Sequence, residues 1–173
     1  MKKVLLRFSM NQSKEVTIPV AQNTKLSSEQ APKTEEERQE MNNTPYASGV
    51  GSIMYAMVCS RPDLAYAISL VSRFMSNPGA EHWKALKWVM KYLRGTSHLG
   101  LSFKDQGNNS NPIVGYVDAD FAGNLDTRNS LTGFVFTLFG TVVTWKSTLQ
   151  PVVALSTTEA EFIAVTEAIK EAI

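Results

Sequence analysis

The sequence holds one cysteine and two histidines in 173 residues. A single thiol cannot close an intrachain disulfide. Cys59, inside the apolar run IMYAMVCS, reads as a buried structural thiol in a reducing, intracellular setting. His82 has no second histidine at metal-binding spacing, so it reads as a helix-surface residue. No stretch approaches the roughly 18 consecutive apolar residues that a membrane span requires. The N-terminal MKKVLLRFSMNQSKEV is interrupted by Arg7 and lacks a small-residue cleavage site, which excludes a signal peptide.

A large net charge is also missing, the total being +1. The balance is uneven along the chain. Residues 1–32 carry +3, residues 33–44 carry −2, residues 45–112 carry +4 and residues 113–173 carry −4. A basic middle attracts polyanions, and an acidic end attracts metal ions.

What is present falls into three parts. Residues 1–44 form a polar segment in which Ser, Thr, Asn and Gln leave little to bury, apart from the short apolar VLLRF. Within it, Thr34 and Glu37 have capping-box spacing for a short helix. Residues 45–97 read as three helices. YASGVGSIMYAMVCS is the first, DLAYAISLVSRFMS follows a first-turn Pro62, and GAEHWKALKWVMKYLRG ends at Gly95. In the third, Trp83, Leu86, Met90 and Leu93 recur at helical spacing as a buried stripe. Lys84, Lys87, Lys91 and Arg94 run along another face. The ordinary reading is a solvated face; the functional reading is a ridge that tracks phosphates.

After the polar loop KDQGNNSNP the periodicity shortens. IVGYVDADF, LTGFVFTLF and TVVTWKS read as three successive strands, with PVVAL extending or leaving the sheet. STTEAEFIAVTEAIKEAI then reads as a helix capped by Ser156 with Glu159 in a capping box. The helical pattern runs to Ile173 with no C-cap, the pattern of a truncated domain. Residues 113–173 are thus expected to form a sheet with one flanking helix.

The stretch GYVDADFAG concentrates the chemistry. As a calcium loop it fails, because positions five and twelve are Ala122 and Asn129. As a polymerase Tyr-x-Asp-Asp hairpin it fails too, because Asp118 and Asp120 are separated by one residue and so share a strand face. A third reading sets a strand aspartate against a helix glutamate on Mg²⁺. Glu161 lies roughly 200° around the helix from Glu159 and is free of the capping role. Surface acids on a strand and a helix end are the ordinary alternative.

The strings RPD, YLRGT, DADFAG and ALSTTEAEF occur in this order. Together they resemble the C-terminal part of the Pol polyprotein of copia-type LTR retrotransposons, plant elements especially, over nearly the whole chain. The resemblance implies the end of a reverse transcriptase region over 1–44 and a helical connection over 45–97. Over 113–173 it implies the first part of a ribonuclease H domain, an α/β fold with a mixed sheet. It implies Mg²⁺-dependent hydrolysis of RNA in RNA–DNA hybrids. Asp118 then matches the first catalytic aspartate and Glu161 the helix glutamate, with Asp120 a further candidate metal ligand and Glu159 the second choice on the helix. Lys84, Lys87, Lys91 and Arg94 become contacts to the hybrid backbone. Family members need two later aspartates that do not occur before Ile173. The expectation is therefore a fragment inactive alone, whose partners are the hybrid and the rest of the polyprotein, with no membrane association. A cytoplasmic particle or the nucleus is the location the family implies. The rival is a non-catalytic nucleic-acid-binding or degenerate transposon remnant.

Overall fold

The computed structural model describes residues 2–103 and 112–173. The polar loop expected after Phe103 lies, apart from Pro112, outside the described residues. The chain divides into two compact units, Met1–Leu99 and Gly100–Ile173.

The first unit is helical. Its helices are α1 (Lys2–Arg7), α2 (Glu35–Asn42), α3 (Tyr46–Ser60), α4 (Ala65–Ser72) and α5 (Ala80–Gly95). Short 3₁₀ turns occupy Ser28–Gln30 and Pro62–Leu64. The expected second helix is thus shorter than its apolar pattern, since Pro62 opens a tighter turn and the helix ends at Ser72. On α5, Leu86, Val89, Met90 and Leu93 are fully buried, with Trp83 partly buried beside them. They meet Val50 and Ile53 of α3 and Ile68 and Val71 of α4. Gly49 lets α3 and α5 come close, because a Cβ there would lie 2.9 Å from Leu86 Cδ2. Thr34 and Glu37 make the expected capping box at the start of α2.

Residues 1–32 do more than their polarity suggested. VLLRF lies within or beside α1, and Leu5, Met10 and Leu26 are buried in the same core as α3–α5. Isolated apolar residues in a polar stretch carry no periodic signal, so only tertiary packing reveals them. Trp88 Nε1–H donates to the Ile18 carbonyl at 3.0 Å, tying this extended segment to α5.

Two single-residue expectations are corrected. Cys59 is exposed on α3, because the buried face of that helix is made by Tyr46, Gly49, Val50 and Ile53. His82 is fully buried rather than on the surface. Its Nδ1 accepts from the Gly79 N–H at 2.8 Å and its Nε2 lies 3.1 Å from the Ser27 carbonyl. Its ring stacks on Phe74 at 4.0 Å between centroids. The pairings fix the tautomer with the proton on Nε2.

Tyr46 is also buried, and its hydroxyl donates to the Val71 carbonyl at 2.7 Å. Burial pushes its phenol well above the ordinary range. Tyr46→Phe is expected to cost about 1 kcal/mol, since the Val71 carbonyl loses its side-chain donor; urea unfolding followed by tryptophan fluorescence measures it.

The second unit is an antiparallel sheet of β1 (Ile113–Asp120), β2 (Leu131–Leu138) and β3 (Thr141–Leu149), in that spatial order, with α6 (Thr157–Ala172) on one face. The α/β class is as expected. The sheet among the described residues is purely antiparallel rather than mixed. Its strands are joined by short connections, whereas a parallel pair needs a long crossover. Phe139 and Gly140, with φ of 48° and 78°, make the two-residue turn between β2 and β3. PVVAL does not extend the sheet, and Val152 and Val153 are exposed between β3 and α6.

Candidate carboxylate site and basic helix

The helix that carries Glu161 is tied to β2, the neighbour of the strand that carries the candidate aspartates, by a polar residue with no signal in the sequence. Gln150 is buried, and its Nε2 donates to Thr132 Oγ1 at 3.1 Å and to the Ala160 carbonyl at 2.8 Å. At the far end of α6, Thr144 Oγ1 donates to Glu171 Oε1 at 3.2 Å. Ala160, Ala164 and Ala168 recur every fourth residue and are buried, so small side chains let the helix lie close. Thr132 and Thr144 therefore mark the sheet face that α6 covers.

Pairing extends this face to β1. Ala119 pairs with Thr132 and Val117 with Phe134, so these residues lie on the covered side. Asp118 pairs with Gly133 and Asp120 with Leu131, which places both aspartates on the opposite face together with Tyr116. Asp118, Asp120 and Tyr116 are exposed there. Beyond Asp120 the chain turns sharply through Ala122, whose φ is 51°. The Asp120 carboxylate folds over Gly123, where a Cβ would collide with it. The turn is fixed by the Ala122 N–H donating to Ser130 Oγ at 3.0 Å and by Asn129 Nδ2 donating to the Gln150 carbonyl at 2.9 Å.

On α6 the two glutamates have different occupations. Glu159 Oε2 accepts from the Leu155 N–H at 2.8 Å, while its own N–H donates to Ser156 Oγ at 3.1 Å. Its carboxylate is spent on the helix start. Glu161 is exposed beside the buried Ala160. Asp118 and Asp120 thus share one face of the sheet, and Glu161 sits on the helix that covers the other. Among the described residues no group of three or more His, Cys, Asp or Glu side chains is arranged to hold a metal ion.

The cations of α5 separate into two kinds. Lys84 Nζ pairs with Glu81 Oε1 at 2.5 Å, and Arg94 Nε lies 3.7 Å from Glu15 Oε1. Lys87 and Lys91 lie instead over indole rings, Lys87 Nζ 5.7 Å from the Trp83 centroid and Lys91 Nζ 6.0 Å from the Trp88 centroid.

The RPD and YLRGT strings come together in the first unit. Arg61 is 1% exposed. Its Nε and Nη2 donate to both Asp63 carboxylate oxygens at 2.8 and 2.6 Å, and its Nη1 donates to the Thr96 carbonyl at 3.0 Å. The Tyr92 hydroxyl donates to Asp63 Oδ2 at 2.9 Å. Burial alone would raise the Asp63 carboxyl, but the bonds from Arg61 and Tyr92 outweigh it and hold the group below its ordinary value. These strings make a structural clasp between the α3–α4 junction and the end of α5. No helix among the described residues is long and apolar enough to cross a membrane.

Comparison with known proteins places the chain. It is 54% identical over 172 residues to a retrovirus-related Pol polyprotein from transposon TNT 1-94 of Nicotiana tabacum, covering 99% of this chain and 13% of that protein. It is 49% identical over 133 residues to secreted RxLR effector protein 161 of Plasmopara viticola, covering 77% of this chain and 92% of that protein. Over 159 residues it is 36% identical to the Pol polyprotein from transposon RE1 of Arabidopsis thaliana, covering 92% of this chain and 10% of that protein. The chain therefore spans about an eighth or less of the transposon polyproteins it matches. No family model and no solved structure matches it. The chain belongs to the family of retrovirus-related Pol polyproteins of copia-type transposons.

Proposed function

We propose that this chain is a segment of a transposon Pol polyprotein that engages RNA–DNA hybrid and carries part of a ribonuclease H-type site. In this reading the second unit is the beginning of a ribonuclease H-like fold. Asp118 supplies the strand carboxylate and Glu161 the helix carboxylate of an Mg²⁺ site, with Asp120 beside them. The remaining ligands come from elsewhere in the polyprotein, so the chain alone does not cleave. The observation that carries the reading is the similarity to transposon Pol polyproteins over nearly the whole chain, with Asp118, Asp120 and Glu161 exposed on β1 and α6. Hybrid is held in the first unit through phosphate contacts from the α5 cations. Lys87 and Lys91 lead, because Lys84 and Arg94 already face carboxylates.

Phosphate contacts release counterions, so affinity for hybrid falls linearly on a logarithmic salt scale, by roughly 0.9 per contact. A fluorescence-anisotropy titration of a labelled RNA–DNA hybrid against the full chain, across salt concentrations, is expected to show this slope. Lys87→Glu with Lys91→Glu should reduce it by about 2. A chain that fails to bind hybrid at low salt, or a charge-reversed variant with an unchanged slope, sinks this reading.

A further inference from the structure

Beside α5 the structure holds a groove that the hybrid reading does not use. It has a volume of about 300 Å³ and lies between residues 21–26 and the helix. Asn23, Thr24 and Lys25 line one wall; Glu81, Lys84 and Trp88 line the other. Glu81 is neutralised by Lys84 at 2.5 Å, which leaves Lys25 as the uncompensated charge of the groove. Lys25 is exposed, and no ion pair among the described residues engages it. The Trp88 indole is held in place by its Nε1–H bond to the Ile18 carbonyl at 3.0 Å. Lys84 and Lys91 sit at positions four before and three after Trp88 on the helix, so one aromatic wall is bracketed by cations. Lys87 over Trp83 repeats the pairing of cation and ring on the same helix.

An aromatic ring held rigid at the edge of a groove, with cations on both sides and no net acidic charge, matches the requirements of an unpaired nucleotide strand. Such a strand offers a free base face for stacking and a phosphate on either side of it. A duplex does not, because its bases are stacked on one another and only its backbone and groove edges are presented. We propose that the groove between residues 21–26 and α5 binds a single-stranded polynucleotide, one base stacking on Trp88 and the flanking phosphates meeting Lys25 and Lys91. The polar Asn23 and Thr24 side chains face the base edge without imposing one base, so binding is tolerant of sequence. The inference rests on the nucleic-acid reading above but names a different ligand and a groove that shares with the leading hybrid contacts only Lys91, which lies over the Trp88 ring.

The test uses the full chain and two probes of equal length, a fluorescein-labelled single-stranded oligonucleotide and a labelled RNA–DNA hybrid, titrated by anisotropy at fixed salt. Trp88→Leu is expected to weaken the single strand about tenfold and the hybrid only about two- to threefold, since the strand loses a stacking ring and the hybrid only the seat of Lys91. Trp88→Phe keeps a ring but loses the bond to Ile18, and is expected to retain most of the affinity. Lys25→Glu, on an exposed side chain, should weaken the strand severalfold without altering the far-ultraviolet circular dichroism. Wild-type affinity in folded Trp88→Leu overturns the proposal. If that variant is unfolded, Lys25→Glu decides, and an unchanged strand affinity overturns it. Hybrid binding without single-strand binding removes this inference and leaves the hybrid reading intact. Single-strand binding that depends on Trp88, without hybrid binding, does the reverse.

Discussion

Arg61→Met is expected to lower the stability of the first unit by about 3 kcal/mol at neutral pH. Methionine fills much of the volume but supplies none of the donors. Asp63 loses both of its guanidinium bonds, and the Thr96 carbonyl and hydroxyl lose theirs at 3.0 and 2.7 Å. Removing one partner of a buried pair leaves the other charge uncompensated, which costs about 3–5 kcal/mol when the pair is wholly enclosed. The lower end applies because 34% of the Asp63 side chain reaches water.

The effect should depend on pH with a definite sign. In the parent, the Asp63 carboxyl is held below its ordinary value of 3.8, so its contribution is fully present above that pH and is lost as the pH falls through the lower folded value. In the variant, burial acts without the guanidinium and favours the neutral carboxyl. The difference between parent and variant should therefore shrink below about pH 4. Urea unfolding followed by tryptophan emission reads the first unit well, since Trp83 and Trp88 both lie within it. Equal stability of parent and variant at pH 7 would refute the clasp.

Gly79→Ala is the second large effect. Gly79 precedes α5 with an extended backbone, φ −107°, so no left-handed conformation demands glycine there. Space does. A Cβ would collide with the Gln30 carbonyl oxygen and lie 2.9 Å from its carbon. The obstacle is backbone, and it cannot swing aside. Residues 27–31 are held by the Gln30 N–H and Ala31 N–H bonds to Ser27 and Ser28, both 3.1 Å, and by His82 on Ser27. Moving this strap would break the His82 bridge and unseat Leu26 from the core. Overpacking of this kind costs typically 1–3 kcal/mol, and about 2 kcal/mol would lower the melting temperature by roughly 10 °C. Differential scanning calorimetry measures the shift, and a variant melting with the parent would show that the strap yields.

These sites also show where the sequence speaks and where it is silent. α3 spans the same residues as its apolar run, because Pro45 precedes it and the Arg61–Pro62 junction stops it. The caps at Thr34 and Ser156 were legible, since their partners lie three residues away. The three strands were legible from their β-branched and aromatic residues and the turn at Gly140. Contacts between distant residues were not. Nothing near Leu26 announces that it is core, and nothing near His82 announces Ser27, 55 positions earlier. The shared face of Asp118 and Asp120 follows from alternation, but the face that α6 takes is decided by Gln150 and the alanine stripe. RPD and YLRGT served as family marks in the sequence; in the fold they are two halves of one buried pairing.

The carboxylates carry the central claim. In the proposed reading, Asp118 and Glu161 are two carboxylates of a site whose other ligands come from elsewhere in the polyprotein. The most direct measurement is Mg²⁺-dependent cleavage of a labelled RNA–DNA hybrid by the full chain, with Asp118→Asn alongside. Parent and variant are expected to bind the hybrid equally, and neither is expected to cleave it above the protein-free control. Cleavage by the parent that requires Mg²⁺ and disappears in Asp118→Asn would contradict the reading.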